Sequence, residues 1–144
     1  MIESLSHITF IVRDLDRMKD FLTKIFGAKE IYSSGSSTFS VAAERFFLIG
    51  GLWIAVMEGV PSSEKTDDHV AFKIAEADLD AYADRIRELG VEVLESRSRV
   101  EGEGRSLYFY DYDHHLFELH TGTLEKRLER YNRTGKVIQG ETNN

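Results

Sequence analysis

The sequence predicts an α+β fold in which a βαβββ unit occurs twice in tandem, followed by a C-terminal helix. Three observations predict it. Identities recur at a near-constant offset: His7 and His69 are 62 residues apart, while Gly27 and Gly90, and likewise Gly59 and Gly122, are 63 apart. The order of expected elements, a strand, a glycine-ended helix and then more strands, is the same in both halves. The second half closes on a hairpin, in which the aromatic run Ser106–Tyr110 meets a polar turn at Asp111–His115 and then an alternating strand.

In chain order, Leu5–Val12 alternates as a strand, with His7, Thr9 and Ile11 on one face. Leu15, Met18, Phe21, Leu22, Ile25 and Phe26 have helical spacing, with Asp14 as N-cap and Gly27 as a left-handed stop. Lys29–Tyr32, Thr38–Ala42, Arg45–Ile49 and Leu52–Met57 are expected strands, and Gly50–Gly51 makes the last turn. The pattern restarts with strand His69–Ile74, a helix carrying Leu79, Tyr82, Ala83, Ile86 and Leu89, and strand Val91–Leu94. The charged loop Ser96–Arg105 leads into the hairpin. Thr123 caps a final helix striped by Leu124, Leu128 and Tyr131. One domain is therefore expected over 1–132, with module one at 1–59, a linker at 60–68, module two at 69–122, the helix at 123–132 and a flexible tail at 133–144.

Composition limits the function. A chain of 144 residues, 42% hydrophobic, can bury one good core. No run is long enough to span a membrane, and the N-terminus lacks a basic-then-apolar leader. The absence of cysteine excludes disulfides and thiolate metal sites and fits a cytoplasmic protein. A net charge of −7 argues against a general nucleic-acid binder. It leaves room for a small anion held by a few converging arginines.

Glu118 is the residue that needs explaining. It shares a strand face with Leu116 and His120, and a buried carboxylate requires a cationic partner. His7 and His69 open equivalent strands, so two imidazoles and one carboxylate form a set suited to Mn²⁺, Fe²⁺, Ni²⁺ or Zn²⁺. The plainer reading is that each is a hydrogen-bonded strand histidine. Moving Glu118 back by the repeat offset of 63 lands on Ala55, with Trp53 on the same strand face, so that side of the site is open to a ligand. A small core alanine is the plainer reading there. Arg97, Arg99, Arg105 and Arg127, with Ser98, Ser106 and Tyr108, could hold a phosphate, phosphonate or carboxylate, or could simply be solvated among Glu95, Glu101, Glu103 and Asp111. Glu44 precedes the apolar run Phe46–Ile49 and is either a general base or a surface turn residue. Turn or strand-edge roles are the default for His114, His115 and His120. No nucleophile elbow or phosphate-cradling glycine motif is present.

The segment His7–Leu15 resembles the opening of vicinal-oxygen-chelate proteins, the glyoxalase and extradiol-dioxygenase superfamily. Phe46–Ile49, Gly51–Ile54, Glu101–Ser106 and Tyr108–Gly122 resemble fosfomycin resistance proteins, in particular the hydrolytic FosX type, and the likeness runs from Met1 to about Tyr131. The resemblance implies that His7, His69 and Glu118 bind Mn²⁺ and that Glu44 activates water against an epoxide carbon. It further implies that Ser106, Tyr108 and Arg127 hold a phosphonate and that Thr9 and Trp53 line the pocket. Ser98 stands where the thiol-transferring branch has a lysine, and Arg99 or Arg97 would substitute for that contact. In such proteins the modules pair between two chains of a homodimer, so His7 would come from one subunit and His69 and Glu118 from the other. A fosfomycin thiol transferase, a glyoxalase or dioxygenase, and a metal-free sequestering module are the competing classes.

Overall fold

The computed structural model describes residues 1–35, 41–94, 103–133 and 135. Strand β1 (His7–Val12) leads into helix α1 (Leu15–Phe26), then β2 (Lys29–Ser33), β3 (Glu44–Ile49) and β4 (Leu52–Glu58). The second half runs β5 (His69–Lys73), a 3-10 turn at Glu76–Asp78, α2 (Leu79–Glu88), β6 (Ser106–Tyr110) and β7 (Leu116–His120), and α3 (Leu124–Asn132) follows. The first sheet has the order β1-β4-β3-β2 and the second β5-β7-β6. In each, the opening strand lies parallel to the last one, and the neighbouring pair is antiparallel.

Local chemistry accounts for the boundaries. The Asp14 carboxylate accepts the Arg17 N–H at the start of α1, and Gly27 ends it with φ 63°. Thr123 caps α3 in the same way, accepting from the Lys126 N–H. One expected strand is reduced. Where Val91–Leu94 was predicted, only an isolated bridge forms, between Leu94 and Tyr108. Leu94 donates to the Tyr108 carbonyl at 2.8 Å, a single rung at the edge of the second sheet. Most of the expected strand Thr38–Ala42 lies outside the described residues, and Val41–Ala42 form a bend.

The core is shared by both halves. Phe10, Phe21, Phe47, Ile54, Phe109, Phe117 and Leu119 belong to one buried cluster that also takes in Ile86 of α2. Phe21 on α1 contacts Phe109 and Phe117 of the second sheet, with ring centroids 5.9 and 5.6 Å away. The helices and the inward sheet faces therefore fuse the modules, leaving the other face of each sheet for chemistry.

Paired registers show what those other faces carry. On the first sheet His7 lies beside Trp53 and Thr9 beside Ala55, while Phe46 pairs with Ala55 and Glu44 with Met57. With side chains alternating, His7, Thr9, Trp53, Phe46 and Glu44 share one face. On the second sheet His69, Glu118, His120, Ser106 and Tyr108 share one face by the same logic. The hairpin turn is tied to the linker: the Tyr110 hydroxyl donates to the Thr66 carbonyl at 2.9 Å, and His114 Nδ1 lies 3.1 Å from the Ser62 carbonyl.

Candidate metal centre

Glu118 is 6% exposed, yet its carboxylate has partners on both oxygens. The Ser106 hydroxyl donates to Oε1 at 2.6 Å, and His69 Nε2 lies 3.0 Å from Oε2. The other ring nitrogen of His69 is 2.8 Å from the Asp67 carbonyl oxygen. A carbonyl only accepts, so Nδ1 carries the proton and Nε2 of the neutral ring presents a lone pair to the carboxylate. Two lone pairs at that separation call for a cation between them or a second proton on the ring. An oriented imidazole nitrogen and a carboxylate oxygen, held by a backbone carbonyl and a hydroxyl behind them, suit a divalent ion such as Mn²⁺.

His7 stands apart from this pair. Among the described residues no three His, Cys, Asp or Glu side chains come together around one metal position. His7 is exposed, with its ring 4.2 Å from that of Trp53 and Nδ1 3.0 Å from the Ser6 hydroxyl. Trp53 in turn meets Phe46 edge-on at 5.1 Å, and Phe46 meets Tyr32 at 5.0 Å, forming an aromatic wall beside the histidine. The Trp53 indole N–H is buried, with no hydrogen-bond partner among the described residues. Thr9 and His69 both line a cleft of about 340 Å³ that is also walled by Phe10, Asp68 and His115.

Glu44 opens β3 and is half-buried. Its backbone is clamped to Ser34: the Glu44 N–H donates to Ser34 Oγ at 3.1 Å, and the Ser34 N–H donates to the Glu44 carbonyl at 3.0 Å. The carboxylate thus starts from a fixed backbone, on the sheet face that also carries His7, Thr9 and Trp53.

Tyr108 crosses His69 edge-on at 5.7 Å. Burial pushes its hydroxyl above the ordinary tyrosine range, helped by the charge of Glu118 and a hydrogen bond to it, while Ser106 and Arg127 act in the opposite sense. Tyr108 is therefore a neutral donor across the physiological range. Arg127, on α3, lies 3.4 Å from His120 Nε2 through Nη2, and His120 Nδ1 lies 2.7 Å from Ser106 Oγ. Among the loop residues considered from sequence, Arg97, Ser98 and Arg99 lie outside the described residues. Sequence reasoning left His120 in a strand-edge role, although its spacing of two from Glu118 already put it on the same face. It left His115 as a turn residue, which it is: Asp111 Oδ2 meets His115 Nδ1 at 2.6 Å, and Oδ1 accepts the N–H groups of Asp113 and His115.

The family model of the glyoxalase/bleomycin resistance protein/dioxygenase superfamily matches residues 4–119. The chain belongs to that superfamily. It is 59% identical, over 133 residues, to the fosfomycin resistance protein FosX of Listeria innocua serovar 6a, a match covering 92% of this chain and 100% of the relative. A crystal structure of a variant FosX from Listeria monocytogenes, complexed with Mn(II) and 1S,2S-dihydroxypropylphosphonic acid, superposes with a TM-score of 0.84 at 58% identity, covering 91% of this chain and 99% of that one. The metallothiol transferase FosB of Lysinibacillus sphaericus is 37% identical over 134 residues, 90% of each chain. Within the superfamily, this chain is a member of the FosX fosfomycin resistance proteins.

Proposed function

We propose that this protein confers fosfomycin resistance by hydrolysing the fosfomycin epoxide to a vicinal diol, with Mn²⁺ as cofactor. The observation that carries the proposal is likeness to FosX at 59% identity over 92% of this chain, against 37% to the thiol-transferring FosB. A FosX relative has been crystallised with Mn(II) and a dihydroxypropylphosphonic acid, a diol of the kind that water addition produces.

His69 and Glu118 hold the metal from the second sheet, and His7 is its third protein ligand. Bound there, Mn²⁺ supplies Lewis acidity toward the oxygens of the epoxide and phosphonate. Tyr108 and Arg127 donate to the phosphonate and so orient the ring. Trp53 and Thr9 line the pocket, and Arg99 is a further candidate contact for the phosphonate. Glu44 takes a proton from water as that water attacks the epoxide carbon. The strained ring opens without a covalent enzyme intermediate.

His7 reaches this site from a second copy of the chain. Two observations support a module-exchanged homodimer. Among the described residues of one chain no third ligand joins His69 and Glu118, and His7 and Thr9 on the other sheet are exposed. Pairing the first sheet of one copy with the second sheet of another completes the ligand set twice. No helix among the described residues is long and apolar enough to cross a membrane, and we place the protein in the cytoplasm.

Phosphorus NMR of fosfomycin with purified protein and Mn²⁺, without thiol, is expected to show the diol phosphonate. Turnover that appears only on adding thiol overturns hydrolysis in favour of thiol transfer. The dimer has its own test. His7→Ala and His69→Ala are each expected to be inactive, and mixing them by unfolding and refolding together restores activity, because the mixed dimer holds one intact site. A mixture as inactive as its components refutes exchange.

A further inference from the structure

The hydrogen bonds behind Glu118 run in one direction only, and His120 sets it. The Arg127 guanidinium can only donate, so His120 Nε2, at 3.4 Å from Nη2, is the bare acceptor nitrogen. The ring proton is then on Nδ1, which donates to Ser106 Oγ at 2.7 Å. Serine has one proton, and with Oγ already accepting from His120 that proton goes to Glu118 Oε1 at 2.6 Å. The sequence of donors is Arg127, His120, Ser106, Glu118. Space for it is provided by Gly122, since a Cβ there would stand 2.6 Å from His120 Nε2.

We propose that His120 is a positioning residue for the metal centre, acting through Ser106 on the metal-binding carboxylate. The inference rests on the proposed role of Glu118 as a metal ligand. By holding Ser106 as a donor to Oε1, His120 keeps Oε2 turned toward His69 Nε2, 3.0 Å away. Without that restraint the hydroxyl can turn away from Oε1, and the carboxylate is held less firmly. Loss of such an outer-shell partner weakens metal binding by about 10–100-fold.

The test is Mn²⁺ affinity of the full-length protein without substrate, read from the electron paramagnetic resonance signal of free aqueous Mn²⁺. His120→Ala and Ser106→Ala are each expected to weaken Mn²⁺ by about 10–100-fold. The double variant is expected to be no weaker than either single one, because both cut the same chain. His120→Asn places an amide donor near the position of Nδ1 and is expected to recover most of the affinity, whereas His120→Gln places it near Nε2 and is not. Unchanged Mn²⁺ affinity in His120→Ala, or additive losses in the double variant, overturns the proposal. Wild-type protein that binds Mn²⁺ but makes no diol defeats the hydrolase reading while leaving these affinity comparisons decisive for His120.

Discussion

Glu44→Gln is expected to abolish diol formation, lowering kcat by about 10²–10⁴-fold, the range lost when a general base is removed. The substitution keeps the size and shape of the side chain and leaves the backbone clamp to Ser34 in place, so β3 still begins where it did. It removes only the ability to accept a proton from water. Glu44 lies on the first sheet, paired with Met57, and is no partner of His69 or Glu118, so Mn²⁺ affinity is expected to be unchanged. Phosphorus NMR under metal saturation reads the first quantity and Mn²⁺ titration the second. Diol formation at the wild-type rate would remove Glu44 from the mechanism and leave water activation to another group.

His69→Ala is expected to cost both metal and activity. The substitution deletes the nitrogen 3.0 Å from Glu118 Oε2 and leaves a carboxylate that is 6% exposed with Ser106, Tyr108 and His120 around it. The loss of Mn²⁺ affinity should exceed the about 10–100-fold that removing an outer-shell partner causes. Metal content after gel filtration of Mn²⁺-loaded protein checks this, alongside a thermal melt to confirm folding. Stoichiometric Mn²⁺ retained by His69→Ala would remove this histidine from the ligand set.

Strongly periodic segments were legible from sequence. Helix α1 combined an apolar stripe with Asp14 and Gly27 at its ends, and each of those signals is realised in the structure. The hairpin was equally plain, because Asp111 and His115 close a turn that their own side chains stabilise. Val91–Leu94 was misjudged because an alternating pattern cannot tell a fully paired strand from one rung at a sheet edge. The pairing of His69 with Glu118 followed from strand alternation, since both point to one face once β5 and β7 are adjacent. The role of His120 did not follow, because it depends on a rotamer and on Arg127 arriving from α3. Glu44 stayed ambiguous for a similar reason. Only the register of β3 against β4, and of β4 against β1, places it on the face that carries His7 and Thr9.

The backbone at Gly104 runs so close to Gly122 that a Cβ on Gly104 would collide with the Gly122 main chain, and a Cβ on Gly122 would come within 2.5 Å of the Glu103 carbonyl oxygen. Gly104 also has φ 78°, a conformation that side chains disfavour. Every amino-acid-changing point mutation of a glycine codon introduces a Cβ, so neither position has a neutral single-step neighbour in the genetic code. Nor does a change at one site make room for a change at the other, because each added atom meets main chain, which cannot shrink in response. The segment entering β6 and the segment leaving β7 are thus sterically locked to each other.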